Sequence, residues 1–80
     1  MPVVLRRDGI RFFFYANEGE PVEPPHIHAE QGGMEAKFWL TPGVHLAYAD
    51  GFDAKSQRRL LAMITADREK LLRAWNEFFG

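Results

Sequence analysis

His26 and His28 are two of only three histidines in the chain, and they stand one residue apart directly behind Pro24 and Pro25. On a β-strand such a pair shares one face with Cβ atoms ~6.5–7 Å apart, because side chains alternate and each residue advances ~3.3 Å. Two imidazoles so placed can converge on one divalent metal such as zinc. A catalytic zinc then wants a third protein ligand, for which His45, Glu30, Glu35 and Glu23 are the candidates. The pair can instead work without any cofactor, one ring taking a proton while the other gives one, as metal-independent RNA cleavage requires. In a third, purely structural reading the rings pack on Phe13, Tyr15 or Trp39 and hydrogen-bond the glutamate-rich loop before them. Spacing alone does not choose among the three.

Arg68 joins His26 and His28 as a candidate catalytic residue. It falls near the middle of an apolar helical stripe, where an unpaired guanidinium is costly. It must find a carboxylate or several carbonyls, or reach past the sheet edge to an anion such as a phosphate. Arg6, Arg7 and Arg11 cluster early, and Arg58, Arg59, Lys70 and Arg73 line the outer side of the helical region. These could contact RNA or simply be solvated. A net charge of −1 argues against a bulk electrostatic nucleic-acid binder.

The elements that must position these residues follow from turn signals and periodicity. Val3–Arg6 reads as a strand, Asp8-Gly9 as a two-residue hairpin turn, and Ile10–Ala16 as an aromatic strand. Residues 17–25 form a polar loop stiffened by three prolines, with a cis bond allowed at Glu23–Pro24 or Pro24–Pro25. The His strand covers about 26–30, Gln31-Gly32-Gly33 turns, and Met34–Leu40 returns as a second hairpin. Thr41-Pro42-Gly43 breaks the chain, and Val44–Ala49 is a short fifth strand. Asp53 is an N-cap for a helical pattern running to Phe79. Leu60, Leu61, Ile64, Leu71, Leu72, Trp75, Phe78 and Phe79 stay within an arc of about 120°, as one amphipathic helix would. A kink near 65–68 is the rival reading, since Thr65 and Asp67 are poor interior residues.

The expected fold is therefore α+β: an antiparallel sheet of four to five strands packed on one long C-terminal helix, with residues 1–80 as a single domain. Ile10, Phe12, Phe14, Ile27, Ala29, Ala36, Phe38 and Leu40 face that helix. The other face carries His26 and His28 with Arg11, Phe13, Tyr15, Glu30, Glu35, Lys37 and Trp39. Both histidines are expected to be accessible there. The mixture is too aromatic for an ordinary solvated face and too charged for a core, as a partner-binding or homo-oligomer face would be. Arg11, Phe13, Tyr15, Glu30, Lys37 and Trp39 are its candidate binding residues. Trp75 and Phe78-Phe79 read as core closing the sheet end.

Eighty residues bury a modest share of surface, and without cysteine no disulfide can compensate. The 46% apolar content, with seven Phe, has to supply the core. The lack of cysteine is compatible with the cytoplasm. The N-terminus lacks a signal-peptide pattern, and no apolar run approaches the ~20 residues of a membrane span.

Several segments together resemble a known family. They are Gly9-Ile10 opening the aromatic strand, Tyr15-x-Asn17-Glu18-Gly19, Glu23-Pro24-Pro25-His26-Ile27-His28, Ala36-Lys37-Phe38-Trp39-Leu40, and Trp75-Asn76-Glu77-Phe78-Phe79-Gly80. The chain resembles the small bacterial family called domain of unknown function 4160 over nearly its whole length, most specifically at Pro-Pro-His-x-His. The resemblance implies a stand-alone cytoplasmic protein. Its implied partner is the product of a neighbouring gene, in an arrangement like a toxin–antitoxin module. Many relatives carry a further histidine just before the two prolines, where this chain has Glu20-Pro21-Val22-Glu23.

Overall fold

A computed structural model describes residues 3–16 and 23–80. Five strands, β1 (Val3–Arg7), β2 (Ile10–Phe13), β3 (His26–Gln31), β4 (Met34–Trp39) and β5 (His45–Asp50), precede two helices, α1 (Ala54–Ala66) and α2 (Arg68–Phe79). The strands form one antiparallel sheet in the order β1-β2-β3-β4-β5, a meander in which every chain neighbour is also a spatial neighbour. The α+β class and the fifth strand are as expected.

Local chemistry sets the turns. Asp8 and Gly9 take φ of 53° and 77°, and Gly32 and Gly33 take 55° and 82°. Two consecutive positive φ values are the hairpin geometry whose twist matches that of the flanking strands. The remaining hairpin, β4 to β5, carries a cis peptide at Thr41–Pro42. Among the described residues this is the cis bond, in place of the Glu23–Pro24 or Pro24–Pro25 position allowed by the sequence. Residues 17–22 of the expected stiff loop lie outside the described residues.

The helical face of the sheet holds the core. Ile10, Phe12, Phe14, Ile27, Ala29, Ala36, Phe38 and Leu40 are buried against Leu60, Ile64, Leu71 and Trp75, with Phe52 closing one end. Phe14 belongs to this core although β2 ends at Phe13, short of the expected Ala16. Its ring meets Trp75 edge-on at 5.3 Å, where α2 crosses the sheet end.

The expected single helix is two. The break falls at Asp67 (φ −103°, ψ 14°), whose N–H is shared between the Met63 and Ile64 carbonyls at 3.2 Å each. Asp67 makes no side-chain cap; its carboxylate instead accepts from Arg7 Nη1 at 2.7 Å, sixty residues away. An ion pair to β1 and an ill-suited helix residue coincide, and together they fix where the helix ends. The apolar stripe is also narrower than expected: Leu61 and Phe78 are exposed, whereas Leu60, Ile64, Leu71 and Trp75 are buried.

Candidate functional site

The strand register sorts the helix-free face into three rows running across the sheet. Arg6, Arg11, Glu30, Glu35 and Asp50 form the first, Phe13, His28, Lys37 and Tyr48 the second, and His26, Trp39 and His45 the third. The expected grouping of Arg11, Phe13, Glu30, Lys37 and Trp39 with the two histidines is thus realised, and Tyr15 reaches the same cluster through its ring.

Burial does not follow expectation. His26 is 0% and His28 2% exposed, so neither imidazole is the accessible surface group that its face assignment suggested. Alternation decides which face a side chain takes but not what later covers it. His28 stacks on Phe13 (centroids 5.5 Å) and meets Tyr15 edge-on at 4.6 Å. His26 lies edge-on to His28 at 5.3 Å and to Trp39 at 5.4 Å, with Trp75 of α2 at 4.8 Å. His26 and His28 are therefore built into a buried aromatic cluster that joins the main core at Trp75.

Hydrogen bonds orient both rings. His26 Nδ1 is 2.9 Å from the Pro24 carbonyl. A carbonyl only accepts, so the ring carries its proton on Nδ1. Above His28, Glu35 accepts from both tyrosines: Tyr15 Oη at 2.9 Å and Tyr48 Oη at 2.8 Å. His28 Nδ1 lies 3.4 Å from Tyr48 Oη and 3.5 Å from Glu35 Oε2. Tyr48 spends its one proton on Glu35, so a bond between His28 and Tyr48 must run from Nδ1–H to the phenol oxygen. Tyr48 is 44% exposed. The cluster thus links a buried imidazole to a surface hydroxyl and carboxylate.

Around this cluster the charges are paired. Arg11 Nε donates to Glu30 at 3.0 Å and lies over the Phe13 ring at 5.1 Å. The bond from Arg11 first, and one from the Gly33 N–H second, hold the Glu30 carboxyl below the usual glutamate range. Lys37 Nζ donates to Glu23 at 3.2 Å and sits 4.3 Å from the Trp39 ring centre.

Arg68 is placed elsewhere. Its Nε donates to the Leu40 carbonyl at 2.7 Å and its Nη2 to the Pro42 carbonyl at 3.1 Å. Leu40 N–H in turn donates to the Pro25 carbonyl at 2.9 Å. Arg68 thereby braces the helix break against the end of β4 and, through Leu40, against the proline pair; no described contact brings it to His26 or His28. Of the outer arginines, Arg59 pairs with Asp8 at 2.9 Å. His45 sits at the exposed edge, its Nδ1 2.9 Å from the Gly43 carbonyl. Among the described residues, no three His, Asp or Glu side chains are grouped to hold a metal ion.

Sequence reasoning missed Tyr48, and placed Glu35 on this face and among the possible third ligands without joining it to the two tyrosines. A bulge between the Lys37 and Phe38 pairings leaves Ala47 without a partner and shifts the parity of β5. Strict alternation would separate His45 from Tyr48; the bulge puts both on the face of the buried histidines.

The fold and site define a small α+β protein: an antiparallel meander covered by two helices on one face and carrying a histidine–tyrosine–glutamate cluster on the other. The family model described as Domain of unknown function (DUF4160) matches residues 9–76, and the chain belongs to that family. No curated protein and no solved structure matches it. No described helix is long and apolar enough to cross a membrane.

Proposed function

We propose that this chain is a protein-interaction component of a toxin–antitoxin-type module, and that its helix-free sheet face receives the partner. The carrying observation is that the two imidazoles are covered, while Trp39, Tyr15, Lys37 and Arg11 stay partly exposed around them. Buried histidines hold such a rim in place. Tyrosine, tryptophan and arginine in a preformed arrangement are the residues that concentrate binding energy. The family resemblance implies the partner's source, the product of a neighbouring gene. Co-expression with that product, followed by calorimetry, tests the reading. Trp39→Ala and Arg11→Ala are expected to weaken the complex about ten-fold or more, as hot-spot truncations do. Absence of a complex, or wild-type affinity in both variants, would sink it.

One observation favours a second reading, a metal-independent ribonuclease. His28 Nδ1 stands close to both Tyr48 Oη and Glu35 Oε2, a short proton path from a buried imidazole N–H through a surface hydroxyl to a surface carboxylate. In this reading His28, Tyr48 and Glu35 move the proton, His26 orients His28, and Arg11 meets the phosphate. RNA cleavage that survives both Tyr48→Phe and Glu35→Gln would exclude it.

A further inference from the structure

The two edges of the sheet are treated differently. β1 exposes Arg6 and Arg7, the charged protection that edge strands usually carry. β5 is exposed along nearly its whole length, yet it runs Leu46-Ala47-Tyr48-Ala49 without a charge or a proline. Of the five large hydrophobic residues exposed among the described residues, Leu46 (40%), Tyr48 and Leu61 (37%) lie on this side. Leu46 and Leu61 line a groove of about 350 Å³ between β5 and α1, together with Phe38, Val44 and Ala54.

We infer that β5 pairs antiparallel with β5 of a second copy, making one ten-stranded sheet. The strand is complementary to itself about a two-fold axis through Ala47 and Tyr48. His45 then falls opposite Asp50 of the other copy, and Leu46 opposite its Ala49. Both pairings respect the faces. His45 and Asp50 share the helix-free face through Trp39 and Glu35, and Leu46 and Ala49 share the helical face through Phe38 and Ala36. The bulge at Ala47 makes this register available: in an unbulged strand, residues 45 and 50 would lie on opposite faces.

Charge complementarity selects a second copy as the occupant. The acidic end of the first row, Glu30-Glu35-Asp50, abuts the His45 end of the third row in the neighbour, twice per dimer. His45 Nδ1–H donates to the Gly43 carbonyl, so it is the protonated ring, with a second N–H on Nε2, that donates to the carboxylate across the axis. The same pairing brings the two Leu46–Leu61 grooves side by side and gives an uncapped edge a partner in every copy, with closed symmetry. It is independent of the partner docking proposed above, since it uses neither Trp39 nor Arg11.

Sedimentation equilibrium of the full chain across a concentration series tests this. A monomer–dimer equilibrium is expected. His45→Asp and Asp50→His should each weaken it about ten-fold, because each removes both histidine–aspartate pairs of the dimer, and the double variant, which restores them in reverse, should return near wild type. Thermal melts check that each variant folds; both sites are exposed. Phe78→Glu, on the other exposed apolar patch, should leave the dimer intact. A strict monomer, a dimer blind to the single changes, a double variant that fails to recover, or loss of the dimer in Phe78→Glu would each overturn the assignment.

Discussion

Replacing His28 with alanine separates a covered imidazole from a surface one. The ring is 2% exposed and packs within 6.4 Å, centroid to centroid, of Phe13, Tyr15, His26 and Tyr48. Truncating a buried Phe or Trp to Ala costs ~3–5 kcal/mol, and imidazole is smaller, so ~2–4 kcal/mol is expected here. For an 80-residue domain with ~4–12 kcal/mol in total, that is a large fraction of the stability. At a urea m-value of ~1 kcal/mol/M the unfolding midpoint should fall by ~2–4 M. His28→Phe keeps a ring and loses the link from Nδ1 to Tyr48 and Glu35, so it should cost about 1 kcal/mol. Urea unfolding followed by tryptophan fluorescence at neutral pH reads both. A cost below about 0.5 kcal/mol for His28→Ala, the value for an ordinary surface substitution, would show that the aromatic cover is not packed.

Three further outcomes are expected. Arg68→Met removes two charge-assisted bonds from a partly exposed guanidinium and should cost about 2 kcal/mol in urea unfolding. Glu30 has a lowered carboxyl in the fold, so its contribution to stability is present above the unfolded glutamate range and is lost as pH falls through the lower folded value. Melting temperatures followed below about pH 4.3 should therefore drop less steeply in Glu30→Gln than in wild type. Gly51 has φ +97°, and an added Cβ would sit 2.7 Å from Met34 Cγ, whereas the same atom at Gly43 meets nothing within 4 Å. Gly51→Ala should cost ~1–3 kcal/mol and Gly43→Ala about 0.5 or less by the same unfolding assay.

Much of the fold was legible because its signals are local. Asp8-Gly9 and Gly32-Gly33 demand positive φ and set two hairpins, and the two-residue period of β2, β3 and β4 sorted the side chains onto the correct faces. Both the fifth strand and the Asp53 N-cap, which accepts from Ser56 N–H at 2.8 Å, were readable in the same way. The helix break was visible only as a rival to continuity. What decides it is the Arg7–Asp67 pair and the grip of Arg68 on two carbonyls of the β4–β5 hairpin, partners that lie far off in the chain.

The His-x-His pair shows the same division. Residue type and alternation determined that His26 and His28 share a face with Phe13, Lys37 and Trp39, because a strand's period needs no knowledge of the rest of the fold. Only the tertiary structure decided that both rings are buried. Trp75 arrives from α2 and Tyr48 from beyond a bulge, and neither a crossing helix nor a parity shift leaves a mark on the local pattern. A pair that looks in one dimension like an open ligand site is, in three, the support beneath a tyrosine–glutamate surface.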